Sequence, residues 1–121
     1  MASTRRPLAL VVEDDEDQRE LLGALFEESD MQVLQCASAE AAVPLLEQFG
    51  PQVSLLFTDI RLAGVMDGTE LANFVRERYP DVMVVVTSGR ERPDALPTST
   101  KFLPKPWLAL DVLREAERSL R

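Results

Sequence analysis

The chain has 121 residues, of which 45% are hydrophobic and 28% are charged, so it is long enough for one folded domain and too short for a second. Its net charge of -8 disfavours binding to nucleic acid or to an anionic membrane. The absence of histidine excludes Ser-His and Cys-His nucleophile pairs and the usual zinc ligands, and the single Cys36 excludes an internal disulfide. The start of the chain fits neither a signal peptide nor a membrane span, so we expect a cytoplasmic protein.

Five apolar runs predict the strands of one sheet. They cover residues 8–12, 31–36, 53–58, 82–87 and the neighbourhood of Phe102 and Leu103. The fourth run contains Val-Met-Val-Val-Val, which indicates a strand that is buried on both faces. Because the strands alternate with helical segments, we expect an α/β fold with a parallel sheet and helices on both faces.

Four segments have apolar residues at helical spacing. Their predicted faces are Leu21, Leu22, Leu25 and Phe26; Ala42, Leu45, Leu46 and Phe49; Leu71, Phe74 and Val75; and Val112, Leu113, Ala116 and Leu120. The acids at 15–17 favour the N-terminus of the first helix through its dipole. Ser38 can cap the second helix, which Pro44 should kink or start later. The third helix is predicted from about Thr69, after an Asp67-Gly68 turn.

Residues 89–100 break this alternation. They lie between the fourth and fifth strands, contain Pro93 and Pro97, and have no helical apolar face. We therefore expect an irregular, mobile segment here instead of an ordinary helix.

Polar residues follow the ends of the predicted strands. Glu13 and Asp14 follow the first strand, Asp59 the third, Thr87 ends the fourth, and Lys105 follows the fifth. The carboxyl ends of parallel strands share one edge of the sheet, where ligands bind. Three carboxylates held close together would raise one another's pKa unless a divalent cation lay among them. Oxygen ligands at a site that also handles phosphate favour Mg2+.

These residue types suit phosphoryl transfer. Asp59 can attack phosphorus as a carboxylate nucleophile and form an acyl phosphate. Lys105 can neutralise charge on the phosphoryl oxygens, and Thr87 can donate its hydroxyl to one of them. Each residue also has an ordinary structural interpretation: Glu13, Asp14 and Asp59 as helix or turn caps, Lys105 as a surface lysine, and Thr87 as a β-branched strand residue.

Five motifs occur in order along the whole chain: V-V-E-D, T-D-I-R, M-D-G, V-T-S-G and F-L-P-K-P. Together they resemble a response-regulator receiver domain of two-component signalling. The resemblance implies a flavodoxin-like, doubly wound five-stranded parallel sheet of order 2-1-3-4-5, here with the fourth helix short or irregular. It implies a single receiver domain over residues 1–121 that is phosphorylated on Asp59. Further implications are Mg2+ ligation that includes the backbone carbonyl of Arg61 and a switch through Thr87 and Phe102.

The resemblance also implies partners. The phosphoryl donor would be a histidine kinase or a histidine phosphotransfer protein, and phosphorylation would change binding to a downstream protein target. Because the sequence ends at Arg121 without an output domain, we expect the signal to pass by contact or by draining phosphoryl groups from a kinase. We expect no enzyme activity beyond the chain's own phosphorylation and dephosphorylation. The loop after Asp59 departs from the family pattern, with Ala63 where proline is usual and one extra residue at Gly64-Val65.

Three other functions are compatible with parts of this pattern. A small Mg2+-dependent phosphohydrolase of the haloacid dehalogenase type would need a second Asp where this chain has Arg61. A flavodoxin would need a Ser/Thr/Gly-rich phosphate loop after the first strand, where this chain has acids that would repel the phosphate of FMN. An adaptor of the same fold that is not phosphorylated remains an alternative.

Overall fold

The computed structural model describes residues 6–121, and its centre is a five-stranded parallel sheet in the order β2-β1-β3-β4-β5. The strands are β1 (Leu8–Val12), β2 (Gln32–Cys36), β3 (Val53–Asp59), β4 (Met83–Ser88) and β5 (Lys101–Pro104). The helices are α1 (Glu16–Glu28), α2 (Ala39–Phe49), α3 (Gly68–Arg78) and α4 (Ala109–Ser119), with a 3-10 turn at Gly50–Gln52. The predicted fold class and strand order are confirmed. Over the described range no helix is both long enough and apolar enough to cross a membrane. The prediction that the start of the chain is not a signal peptide falls partly on residues 1–5, which lie outside the described range.

The sheet separates two apolar layers because successive side chains of a strand point to opposite faces. On one face, Leu10 of β1 packs in a layer with residues of α2 and α3, such as Leu46 and Leu71. On the other face, Val11 packs in a layer with residues of α1 and α4, such as Phe26. All five residues of β1 are buried, and burial of each large aliphatic side chain contributes roughly 1.5–3 kcal/mol. The central strands are therefore held from both sides.

Side-chain caps set where the helices begin. Ser38 accepts a hydrogen bond from the Ala41 N–H, as predicted. Asp15, predicted only to favour the N-terminus of α1 through the helix dipole, also caps it by accepting from the Gln18 N–H. Asp67 forms a capping box with Glu70 at the start of α3, so this helix begins at Gly68, one residue before the predicted Thr69.

Three details of the predicted helices are wrong. The later start of α2 does not occur, because the helix begins directly after its Ser38 cap and continues through Pro44, with Ala42 and Leu46 buried on its inner face. Leu21 is 50% exposed because it lies one residue, or about 100° around the helix, from the fully buried Leu22. Leu120 is 44% exposed because it lies beyond the last residue of α4.

Residues 89–100, all within the described range, form turns and bends and no helix. The predicted absence of an ordinary helix is confirmed, and the helix predicted at the C-terminus is therefore α4. One side chain of the segment, Leu96, is 3% exposed and packs in the layer of α2 and α3. Asn73 of α3 donates to the Ala95 carbonyl at 3.2 Å, and Arg92 donates to the Pro97 carbonyl at 2.8 Å. The sequence pattern did not predict that Leu96 anchors this segment to the core.

Candidate functional site

The register of the sheet brings the predicted site residues to one edge. Thr58 pairs with Val12, the residue before Glu13, and Asp59 pairs with Thr87. Thr87 in turn pairs with Leu103 of β5, two residues before Lys105. A shared edge at the carboxyl ends of parallel strands is thus the reason that residues up to 92 positions apart in the sequence, Glu13 and Lys105, lie side by side.

Lys105 joins the two buried carboxylates of the site. Its Nζ lies 2.5 Å from Asp59 Oδ2 and 3.7 Å from Glu13 Oε1. The Lys105 side chain is 24% exposed, against 9% for Asp59 and 3% for Glu13. Burial opposes the charged form of Lys105, but the hydrogen bond and charge of Asp59, together with the charge of Glu13, outweigh it and raise the lysine pKa. The ammonium group therefore stays charged beside Asp59.

Both carboxylate oxygens of Asp59 accept hydrogen bonds. Oδ2 accepts from Lys105, and Oδ1 accepts from the backbone N–H of Arg61 at 3.0 Å. The backbone carbonyl of Asp59 accepts from the Thr58 hydroxyl at 2.9 Å. It also packs against Gly68, where a Cβ atom would lie 2.1 Å from this oxygen, so only glycine allows the approach. Asp59 is thus oriented at both its side chain and its backbone.

Glu13 is a buried carboxylate that is only partly satisfied. Its Oε2 accepts from the Asp15 N–H at 3.0 Å, whereas Oε1 has no hydrogen-bond partner among the described residues. Burial raises the pKa of Glu13 to about 7, with the charge of Asp59 adding to the effect and the Asp15 N–H and Lys105 opposing it. A buried carboxylate oxygen without a partner fits a cation that prefers oxygen ligands.

Asp14 lies at the rim of the site. Its side chain is exposed, and its carboxyl group interacts with that of Glu13 and raises the pKa of Glu13 further. Between residues 6 and 121, no group of three or more Asp, Glu, His or Cys side chains lies close enough together to hold a metal ion. The predicted close cluster of three carboxylates is therefore not formed, because Lys105 reaches both buried carboxylates while Asp14 stays outside. The Arg61 side chain is also exposed.

Thr87 has an unsatisfied hydroxyl group next to Asp59. The residue is fully buried, and its Oγ1 has no hydrogen-bond partner among the residues that the structure describes. Leaving a buried hydroxyl unpaired costs about 1–3 kcal/mol, so this group is available to donate to an anion that binds at the site. Phe102 lies on the neighbouring strand, β5, where its half-buried side chain packs against the layer that contains Leu96.

Sequence reasoning missed two residues that hold the loops of the site. Arg19 of α1 donates to the Glu13 carbonyl at 2.8 Å, and Glu40 of α2 accepts from the backbone N–H groups of Val65 and Met66 in the loop after Asp59. Arg19 lies six residues from its partner and Glu40 lies 25 and 26 residues from its partners. No local pattern in the sequence signals a contact between the side chain of a helix and the backbone of a loop outside that helix.

Comparison with known proteins identifies the architecture. Residues 9–116 match the family model of the response regulator receiver domain. The chain belongs to the receiver domain family. Receiver domains occur in the response regulators of two-component systems, where they are phosphoryl-accepting signalling modules and generally not enzymes themselves. Receiver domains generally bind Mg2+ at the phosphorylation site and are phosphorylated by histidine kinases or phosphotransfer proteins.

The receiver domain is similar to parts of several larger regulators. It is 29% identical over 117 residues to the nitrogen assimilation regulatory protein NtrX of Azorhizobium caulinodans, a match that covers 92% of this chain and 25% of NtrX. It is 39% identical over 87 residues to the transcriptional regulatory protein AruR of Pseudomonas aeruginosa, covering 69% of this chain and 35% of AruR. The chain thus spans about a quarter to a third of the length of these relatives.

Solved receiver domains have the same fold. The receiver domain of the hybrid histidine kinase CckA is 27% identical, with a TM-score of 0.81 over 94% of this chain and 99% of that domain. The receiver domain of NtrX from Brucella abortus is also 27% identical, with a TM-score of 0.79 over 93% of this chain and 97% of that domain.

Proposed function

We propose that this receiver domain accepts a phosphoryl group on Asp59 from a phosphohistidine of a histidine kinase or histidine phosphotransfer protein, and thereby changes its binding to a downstream protein. One observation carries the proposal: Lys105 Nζ lies 2.5 Å from Asp59 Oδ2 at a site where the buried Thr87 hydroxyl has no hydrogen-bond partner among the described residues. The site thus combines a nucleophile, a cation and a free donor. We also propose a cytoplasmic location.

The chain's own residues supply orientation and charge. An oxygen of Asp59 forms the new bond to phosphorus as the bond from phosphorus to the donor's imidazole nitrogen breaks, and the electron pair of that bond stays with the imidazole. The Arg61 N–H holds the other carboxylate oxygen in place during this step. Lys105 neutralises charge on the transferred group, and the Thr87 hydroxyl gains an acceptor in one of its oxygens.

The residues present fit the Mg2+ that receiver domains generally bind. Glu13 offers a buried oxygen without a hydrogen-bond partner among the described residues, and Asp14 and Asp59 offer further carboxylate oxygens. We propose that Asp14 turns inward from the rim when the ion binds, and that these three side chains and the backbone carbonyl of Arg61 hold it. When bound, Mg2+ neutralises negative charge on the phosphoryl oxygens.

The proposed switch uses Thr87 and Phe102. A donor drawn toward the phosphoryl group would pull Thr87 inward, and Phe102, which pairs with the neighbouring residue Val86, would repack with it. The irregular segment of residues 89–100 connects β4 to β5, so the movement of Thr87 and the repacking of Phe102 would both displace its ends.

The phosphohydrolase and the adaptor have less support as functions of this chain. A haloacid dehalogenase-type phosphohydrolase needs an acid and base two residues after the nucleophile. Here this residue is Arg61, whose guanidinium offers donors and no acceptor and whose side chain is exposed. An adaptor that is never phosphorylated would have no use for a buried site in which the Thr87 hydroxyl and one oxygen of Glu13 have no hydrogen-bond partner among the described residues.

The central test is the intact mass of the protein after incubation with Mg2+ and acetyl phosphate. We expect the wild type to gain one phosphoryl mass, EDTA to prevent the gain and Asp59→Asn to abolish it. Asp17→Asn is the matched control, because Asp17 is an exposed aspartate of α1 and this variant should be modified like the wild type. Modification that persists in Asp59→Asn, or that is undiminished in EDTA, would refute the proposal. Continuous hydrolysis of a phosphomonoester by the wild type would support the phosphohydrolase instead.

A further inference from the structure

The loop after Asp59 is tied to a helix by a single carboxylate oxygen. We define the acceptor loop as residues 60–67. Oε2 of Glu40, in the first turn of α2, accepts hydrogen bonds from the Val65 N–H at 2.8 Å and the Met66 N–H at 3.1 Å. Hydrogen bonds from the backbone, first that from Met66 and also that from Val65, lower the pKa of Glu40, so it is a carboxylate at neutral pH.

The backbone of the acceptor loop is shaped to receive this carboxylate. Gly64 has φ of 102°, in the left-handed region that favours glycine. A Cβ atom at Gly64 would also lie only 2.8 Å from Oε1 of Glu40. The next residue, Val65, is 94% exposed, so packing does not hold the tip of the loop at this residue. Glu40 therefore holds the loop at Val65, which packing does not hold, and at Met66, which packs partly buried against the layer of α2 and α3.

The other end of the acceptor loop reaches the phosphorylation site. The Ile60 N–H donates to the Thr87 carbonyl at 3.0 Å, and the Gly68 N–H donates to the Ile60 carbonyl at 2.9 Å, which closes the loop at its base. Between base and tip lies Arg61, whose N–H bonds to Asp59 Oδ1. The position of Arg61 thus depends on the path that the loop takes to its tip.

We propose that Glu40 is a positioning residue for phosphorylation of Asp59: it holds the tip of the acceptor loop against α2 and so keeps Arg61 in place beside the acceptor carboxylate. The inference rests on the proposed function. Glu40 lies on α2 and is not one of the residues that supply the nucleophile, the cation or the metal ligands. Removing an outer residue that orients ligands of a metal site typically costs about 10- to 100-fold in metal affinity or activity.

Two variants of Glu40 separate this role from a general effect of its charge. Both hydrogen bonds go to the same oxygen, so the amide oxygen of Glu40→Gln can accept them, whereas Glu40→Ala accepts neither. Both variants lose the negative charge that favours the N-terminus of α2. A difference between Gln and Ala therefore reports the tie to the loop. Glu47→Ala, an exposed glutamate of the same helix, is the control for loss of a carboxylate from α2.

The first measurement is amide hydrogen exchange of residues 60–68 in EDTA, which requires no phosphorylation. We expect Glu40→Ala to raise exchange at Val65 and Met66 about tenfold, since each 1.4 kcal/mol of lost protection is a factor of ten. Glu40→Gln and Glu47→Ala should exchange within about threefold of the wild type on the same scale. The second measurement is the rate of phosphorylation by acetyl phosphate against Mg2+ concentration. In Glu40→Ala we expect about tenfold more Mg2+ for the half-maximal rate, with Glu40→Gln near the wild type.

Three results would overturn the inference: unchanged exchange in Glu40→Ala, equal defects in Glu40→Gln and Glu40→Ala, or a loosened loop with unchanged Mg2+ dependence. Gly64→Ala gives a second route to the same loss, because its new methyl group would displace the Glu40 carboxylate. If the wild type is not phosphorylated at all, the proposed function fails. The exchange data and a Mg2+ titration, followed by the fluorescence of Trp107 two residues after Lys105, then show separately whether Glu40 holds the loop and supports metal binding.

Discussion

Two irregular segments leave the same edge of the sheet from neighbouring strands and are held in different ways. The acceptor loop, after β3, is closed by the Gly68 N–H at its base, by Glu40 at its tip and by the capping box of α3 at its end. Residues 89–100, after β4, are held mainly by the buried side chain of Leu96 and by side-chain bonds to the Ala95 and Pro97 carbonyls. Directional polar bonds hold the first segment, whose Ile60, Leu62 and Met66 also pack partly buried against the layer of α2 and α3. The second segment has one deeply buried apolar anchor, Leu96.

This difference matches the two tasks of the site. Transfer of a phosphoryl group requires reacting atoms in a fixed geometry, and a loop with several directional bonds provides it. A signal requires a region that can rearrange at low free-energy cost, and such regions have few buried contacts. We therefore expect the side of β1 and β3 to hold the nucleophile and the metal ligands. The side of β4 and β5, which contributes Thr87 and Lys105 to the site, should report phosphorylation.

The largest expected effect comes from removing the anchor of residues 89–100. Leu96→Ala should lower the free energy of unfolding by about 3 kcal/mol, because the substitution leaves a cavity in the layer of α2 and α3. Urea denaturation measures this, with Leu108→Ala as the control, since Leu108 is 70% exposed and its loss should cost less than about 0.5 kcal/mol. Equal stability of the two variants would mean that Leu96 does not anchor the segment.

The second prediction concerns Glu13 on the chemical side of the site. Its pKa is raised from 4.5 to about 7 in the folded protein, so the unfolded chain ionises first as the pH rises. Stability from this group is therefore full below pH 4.5 and is lost as the pH rises to about 7. In EDTA we expect a loss of roughly 3 kcal/mol between these limits, since each pKa unit corresponds to about 1.4 kcal/mol. Glu13→Gln should remove this dependence, and the exposed Glu16→Gln should retain it.

The third prediction contrasts two buried threonines by the sign of the change. Thr87→Val removes a hydroxyl without a partner among the described residues and should raise the free energy of unfolding by about 1 kcal/mol. Thr58→Val removes a hydroxyl that donates to the Asp59 carbonyl and should lower it by about 1 kcal/mol. Urea denaturation of both variants provides the comparison. Destabilisation by Thr87→Val would show that its hydroxyl is paired in the unphosphorylated protein.

The smallest effect is expected in the exchange of backbone amides. Residues 90–100 should exchange rapidly in the unphosphorylated protein and slow several-fold, about 1 kcal/mol, after addition of a phosphoryl mimic. The acceptor loop should change less, because its bonds are already formed. Strong protection of residues 90–100 before activation, or no change after it, would place the output surface on another face of the domain.

Local patterns in the sequence determined much of this architecture. Apolar runs placed all five strands. In the central strands β1, β3 and β4 burial on both faces leaves a continuous apolar signal, whereas the edge strands β2 and β5 are only partly buried. Ser38 and the acids at 15–17 marked two helix starts, because capping depends only on residues within one turn. Polar residues at strand ends indicated which side chains share an edge, and the ordered motifs implied the strand order. Pro93 and Pro97, with the lack of an apolar face, predicted that residues 89–100 form no ordinary helix.

The tertiary structure alone decided how these side chains meet. Lys105 bonds Asp59 across 46 residues, and this contact, with Asp14 left at the rim, replaces the expected cluster of three carboxylates. Leu96 is buried although no periodic pattern surrounds it, and Glu40 reaches the acceptor loop across 25 residues. The physical reason is common to all three. Periodicity reports the local environment of an element, whereas these contacts depend on the paths of loops between elements, which the sequence constrains only through the whole fold.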